Sequence, residues 1–321
     1  MSHAAVLVVI ASTLCGQTDG EKVFKEWADL GAGGVWTTTS PEGDKMEHTY
    51  TWTLDDRFLQ IDRRGGENQG ISLVGVDPAT GKVTFWGFNE NGRRGQYVLT
   101  KKKEDVWAFE GQSDGPDGKT VGAYQVAKVD DNTIKTEVIK ETKSGVAQEP
   151  REQTWTRQEK ATLASQEKAP KLCDELKEIA WWCGDFILEG KSPLGDVLAG
   201  QTSCQPGLAG RFLCYRGTTV TGDQDVLRGR TFAGVDPSSV DKKLIKGWEF
   251  LSNGYVGAFS VSDEGKKFKG SGTYADGKTI DFEGILAQDP GGTLDYRSKA
   301  RMSTGENVDY EFHWRPRPMG K

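Results

Sequence analysis

The chain has 321 residues, 36% hydrophobic and 27% charged, with a formal net charge of −6 and only three histidines. That length and composition predict a folded protein with material for two ordinary cores and exclude a disordered chain. The acidic balance, without any dense basic run interleaved with aromatics, argues against a nucleic-acid partner, because phosphate neutralisation needs clustered Lys and Arg.

Residues 4–14 form an apolar run too short to span a bilayer but long enough for the hydrophobic region of a secretory leader. A signal peptide over residues 1–17 is therefore expected, with a secreted or periplasmic product and no integral membrane segment in the mature chain. No Lys or Arg precedes the run, and Leu14 before Cys15 is bulkier than a lipoprotein processing site favours. Lipid attachment is thus a minor alternative.

The stretch EKVFKEWADLG (21–31) spaces Val23, Phe24, Trp27 and Leu30 at helical intervals and ends at glycine, which predicts one short amphipathic helix. From Gly34 onward the segments alternate with period two. In HTYTWTL (48–54) His48, Tyr50, Trp52 and Leu54 share one face and three threonines the other. KVTFWGF (82–88) puts Trp86 and Phe88 together, and REQTWTR (151–157) puts Gln153, Trp155 and Arg157 together. The connections, such as Asp77-Pro78-Ala79-Thr80-Gly81 and Glu90-Asn91-Gly92, are hairpin chemistry, and no helix-length crossover separates two strands. The expected sheet is antiparallel, and eight to ten strands per unit favour a closed barrel.

The polar stretch 159–171 with Pro170 reads as a linker, after which the pattern starts again. DELKEIAWWCG (174–184) repeats the opening helix, and GVDPSSVDKKLIKGWEFLSNG (234–254) repeats GVDPATGKVTFWGFNENG (75–92). Gly75 and Gly234 are offset by 159 residues, as are Asp117 and Asp276, and Trp155 and Trp314; the Arg-Phe-Leu triplets at Arg57 and Arg211 are offset by 154. Nearly constant offsets with length changes confined to loops predict a domain duplication, residues 21–158 and 172–318. Cys173, Cys183, Cys204 and Cys214 remain once the leader is removed, an even number that suits an oxidising compartment. Cys204 and Cys214 flank a turn, which allows a cross-strand bridge; two buried thiols are an equal expectation.

The short helix, Gly33-Gly34-Val35-Trp36 leading into the first strand, the Asp56-Arg57-Phe58-Leu59 arm, the Gly-Val-Asp-Pro turn and a last strand with Trp and Arg together resemble the bacterial lipocalin-like domains of unknown function. The resemblance covers both units and implies a barrel similar to nitrobindins and fatty-acid-binding proteins. It implies that Trp36 packs under Arg157; the second unit has Phe186 in place of that Trp, and Arg315 and Arg317 are offset from the matching Arg position. It also implies a haem-ligating histidine near the chain end, but alternation turns His313 away from Phe312 and Trp314, toward solvent.

No metal site, cofactor loop or nucleophile motif accompanies these features: His-Glu-x-x-His, Cys-x-x-Cys and Gly-x-Ser-x-Gly are all missing. Asp77 and Asp236 precede Pro where hairpins want Asp, a structural use. The sequence therefore predicts a tandem barrel that binds or carries a small apolar or amphipathic molecule. The expected lining is His48, Tyr50, Trp52, Trp86, Phe88, Trp107, Gln153, Trp155 and Arg157, with the second barrel filled more completely by aromatics. Two other readings stay open: an enzyme using His48 and Tyr50 as acid-base groups in the first barrel, and an envelope module with filled barrels.

Overall fold

In each half, period-two alternation becomes ten antiparallel barrel strands among the described residues, and the first half adds the short edge strand Val146–Gln148. The structure, a computed structural model, describes residues 19–318 except 32–33, 41, 67–68, 162, 164–169, 192–196, 223–224 and 240–243, so the expected leader lies outside the described residues. In the first half the chain meanders from the strand Val35–Thr39 to the strand Thr133–Lys143, and Arg151–Gln158 pairs with both to close the barrel. In the second half ten strands from Gly184–Lys191 to Asn307–Pro316 close on themselves, with Phe186 opposite Pro316 at the seam. Every barrel neighbour is antiparallel, and apart from the closing pair of first and last strands the neighbours follow one another along the chain, an up-and-down barrel. Among the described residues no helix is long and apolar enough to cross a membrane.

A helical segment seats against one end of each barrel. The helix Asp19–Gly31 buries Phe24, Trp27 and Ala28 in the first core, where Trp27 lies 6.2 Å from the rings of Tyr50 and of Phe109. Its last residue must be small, because a Cβ on Gly31 would meet the Tyr50 ring at 2.6 Å. The matching segment of the second half, expected as an α-helix, is instead the 3₁₀ helix Asp174–Trp182. The spacing explains the difference: Leu176, Ile179 and Trp182 are three apart, and in a 3₁₀ helix such positions fall on one line. Leu176 and Ile179 are buried there, and Trp182 stacks on Phe268 at 5.3 Å.

The two barrels pack through the same face of each. Phe58 meets Phe250 at 5.5 Å, and the pair at the matching positions, Phe212 and Phe88, meets at 5.7 Å. Reciprocal contacts of this kind define an isologous, two-fold-like interface, here built within one chain. Trp86 lies 5.2 Å from Phe250, and Phe88 stacks on Phe232 at 4.5 Å with 14° between the rings. Trp86 and Phe88 are therefore not lining of the first lumen. On the strand Lys82–Asn89 it is Val83 and Phe85 that face the first core, while Trp86 and Phe88 belong to the cluster shared with the second barrel. Alternation correctly marked one face of that strand as buried, but burial against a neighbouring barrel and burial in a lumen leave the same pattern in sequence.

The cysteines also depart from one expectation. All four are free thiols, and register pairs Cys204 with Tyr215 and Cys214 with Gln205. The one-residue offset sends Cys204 toward the second core and Cys214 toward the inter-barrel cluster, so the two cannot form a cross-strand bridge.

Candidate functional site

The lumen of the second barrel holds a cavity of about 720 Å³. Trp182 and Phe268 lie toward the end with the 3₁₀ helix, and Asp225, Ser252 and Asn253 lie at the opposite rim. The first barrel contributes to that rim: the left-handed turn Leu54-Asp55-Asp56 places Asp55 against the cavity, where it pairs with Arg228. The equivalent turn of the second half, Leu208-Ala209-Gly210, is left-handed as well.

One row of inward positions carries the chemistry. Cys204, Tyr215, Thr231, Glu249 and Gly257 stand side by side on consecutive strands. Gly257 leaves room for an aromatic ring beside Glu249, since a Cβ there would meet the Tyr255 hydroxyl at 2.3 Å. Tyr215, Tyr255, Tyr296 and Tyr310 line the same cavity as Glu249 and feel its charge, and burial alone pushes the Glu249 pKa up to about 7. Burial likewise raises these tyrosines, so they stay neutral hydroxyls. Trp314 donates through Nε1 to the Tyr215 hydroxyl at 2.8 Å, which fixes that side of the lumen. The expectation that aromatics fill the second barrel more completely is thus corrected: bulky rings line its wall but leave the centre empty.

Most of the predicted residues gather in the first lumen. Tyr50, Trp107 and Trp155 are buried there, with Trp52 packed against them and edge-on to Phe24 at 5.7 Å. His48 stacks on Trp155 at 4.0 Å, and desolvation, with a smaller contribution from Arg63, drives its pKa down to about 3. Burial raises the Tyr50 phenol well above its ordinary value. Arg157 lies with its guanidinium 5.7 Å over the Trp36 ring, the pairing implied by the family resemblance. Gln153 sits opposite Thr136, which accepts a hydrogen bond from Trp155 Nε1 at 3.0 Å.

Two charged residues that matter most were not singled out from sequence. Arg63 faces the first lumen opposite His48, donates to Asn89 Oδ1 at 2.5 Å, and keeps Nε buried without a partner; desolvation lowers its pKa to about 10. Alternation carried the signal in both cases. Arg63 continues the Leu59, Ile61 face, and Glu249 sits between Gly247 and Leu251.

No protein-family model matches the chain, and no curated protein does. Among solved structures, a de novo designed fluorescence-activating β-barrel is similar at 17% identity over 43% of this chain and 94% of that one, with a TM-score of 0.25. Kievitone hydratase from Nectria haematococca is similar at 9% identity over 89% of each chain, with a TM-score of 0.21. At those TM-scores neither likeness bears on activity.

Proposed function

We propose that the protein binds a small, mostly apolar molecule in the lumen of its second barrel. One observation carries this reading: an aromatic-walled cavity of about 720 Å³ with a single carboxyl deep inside it. Ligand sites commonly measure about 300–1,000 Å³ and combine an apolar lining with a few placed polar groups. Affinity comes from taking the ligand's apolar surface out of water, and Glu249 orients its polar end.

The first lumen is a subordinate site in the same proposal, formed by His48, Tyr50, Trp52, Trp107, Gln153, Trp155 and Arg157. The orphaned Arg63 Nε beside them supports it. Catalysis by His48 and Tyr50 has less support, because an imidazole held neutral down to about pH 3 and a phenol raised well above its ordinary pKa are poorly tuned for proton transfer near neutrality. Two further readings belong to the proposal: descent of both units, 21–158 and 172–318, from the lipocalin-like domains akin to nitrobindin, supported by the Trp36–Arg157 pair, and export through the leader, supported by the apolar run 4–14.

Titration of the full chain with N-phenyl-1-naphthylamine, a neutral probe that fluoresces in apolar surroundings, tests the site. Saturable uptake lost on filling the cavity, as in Thr231→Trp, is the expected result. A wild-type chain that takes up no probe and yields no co-purifying molecule in native mass spectrometry would leave the cavity a packing void.

A further inference from the structure

The two lumens carry opposite charges at neighbouring positions, and each barrel has glycine where the other has its charge. Register makes the match independent of sequence alignment. In the first barrel Arg63, Gly70 and Asn89 form one row; in the second the same row is Gly217, Gly229 and Leu251. In the adjacent row Ile61, Ser72 and Gly87 correspond to Tyr215, Thr231 and Glu249. Thus Arg63 answers to Gly217, and Gly87 answers to Glu249. The second lumen has gained a carboxylate at the level where it has lost the cation that would neutralise it.

No Lys, Arg or His is among the described residues lining the second cavity, whereas Asp55 and Asp225 stand at its rim and Glu249 within. Arg216 and Arg230 on the adjoining strands alternate with the inward Tyr215, Gly229 and Thr231 and point to the outer face. Arg228 reaches the rim and pairs there with Asp55, leaving Glu249 as the carboxyl within the cavity that has no cation beside it. Glu249 forms no ion pair among the described residues, and its remaining accessible surface opens into the cavity. An uncompensated carboxylate in an apolar enclosure is disfavoured unless it takes up a proton, and a cation brought in by a ligand removes that penalty. Aromatic rings line the same cavity, and a cation over the face of such a ring is attracted further.

We propose that the second barrel selects an organic cation, a tertiary or quaternary ammonium group on an aromatic or aliphatic body, with Glu249 as its counter-charge and the surrounding tyrosines as its cage. The proposal rests on the second cavity being a ligand site. Tyr215, Tyr255, Tyr296 and Tyr310, which share the cavity with Glu249, are all raised above their ordinary values, as is Cys204 further along the row, so Glu249 ionises before them as pH rises; Tyr274 and the rim carboxylates Asp55 and Asp225 complete the titratable lining. Cation affinity then climbs as pH passes through about 7, the Glu249 value.

The test measures binding of (1-naphthylmethyl)trimethylammonium and its uncharged carbon isostere, 1-neopentylnaphthalene, to the full chain by tryptophan quenching. The expected result is a preference for the cation of about tenfold or more at pH 8.5 that shrinks at pH 5.5 and disappears in Glu249→Gln, with the isostere unchanged throughout. Equal affinities, or a preference that ignores both pH and the substitution, would overturn the proposal; the wild-type pH series decides the matter even where the variant fails to fold. Uptake of N-phenyl-1-naphthylamine or the isostere without the cation rejects the cation alone. Failure of all three probes rejects the ligand site itself.

Discussion

Arg94 of the first barrel donates to Asp236 of the second at 2.6 Å, and both side chains are almost wholly shielded from solvent. The guanidinium also lies 5.1 Å over the Trp248 ring, and Lys246 Nζ sits 2.6 Å from the other Asp236 oxygen. Burial pushes Asp236 up, but hydrogen bonds from Lys246 and Ser238 and the charge of Arg94 win, leaving its pKa at about 2. The Gly-Val-Asp-Pro turn thus does structural duty in both halves, with the second Asp also joining the barrels.

Arg94→Ala leaves Asp236 with Lys246 alone among its cations, at an expected cost of about 3 kcal/mol in urea unfolding, since breaking a buried pair strands the remaining charge. The double variant with Asp236→Ala should lose less than the sum of the two single losses. In wild type the Asp236 contribution is present above its unfolded pKa, near 4, and is lost as pH falls through about 2, because the folded value lies below the unfolded one. Full additivity of the two single changes would show that the pair is not coupled.

Phe88→Ala opens a hole in the inter-barrel cluster next to Phe212, Phe232 and Trp248. The expected loss is about 3–5 kcal/mol, the usual cost of truncating a buried phenylalanine. Uptake of the neutral probe should stay at the wild-type level at temperatures where the variant is folded, because Phe88 faces neither lumen. Reduced uptake by a fully folded variant would return Phe88 to the lining where alternation first placed it.

Glu249→Gln should stabilise the protein above neutrality and change little near pH 4. The sign follows from the raised folded value: between about 4.5 and 7 the folded state holds a proton that the unfolded chain has released, so wild-type stability falls as pH rises through that window and levels above it. The amide has no such proton to lose. A full shift to about 7 sets an upper limit of about 3 kcal/mol on the gain at pH 8, read as the difference in urea midpoints between variant and wild type at pH 4 and pH 8. Parallel stability profiles for the two proteins would mean that the carboxyl is solvated.

Local rules in the chain were sufficient for the strands, the hairpins and two closed antiparallel barrels in tandem. Period-two alternation and turn chemistry act over a few residues, and the offset between copies needs only subtraction. The core residues Tyr50, Trp107 and Trp155 were legible for the same reason, as was the outward turn of His313, whose Nδ1 lies 2.5 Å from the Asp295 carboxylate. Alternation says that a face is covered, and it stops there.

What covers each face was decided by tertiary structure. Trp86, Phe88, Trp248 and Phe250 are covered by the other barrel, a contact between residues some 160 positions apart that leaves no periodic trace. The empty lumen likewise depends on how far ten tilted strands hold opposite walls apart, a property of closure and not of any one strand. Glu249 and Arg63 stood out only when register placed Glu249 on the wall of a cavity and Arg63 opposite His48, because a charge on an inward face reads the same in sequence whether its lumen is filled or open.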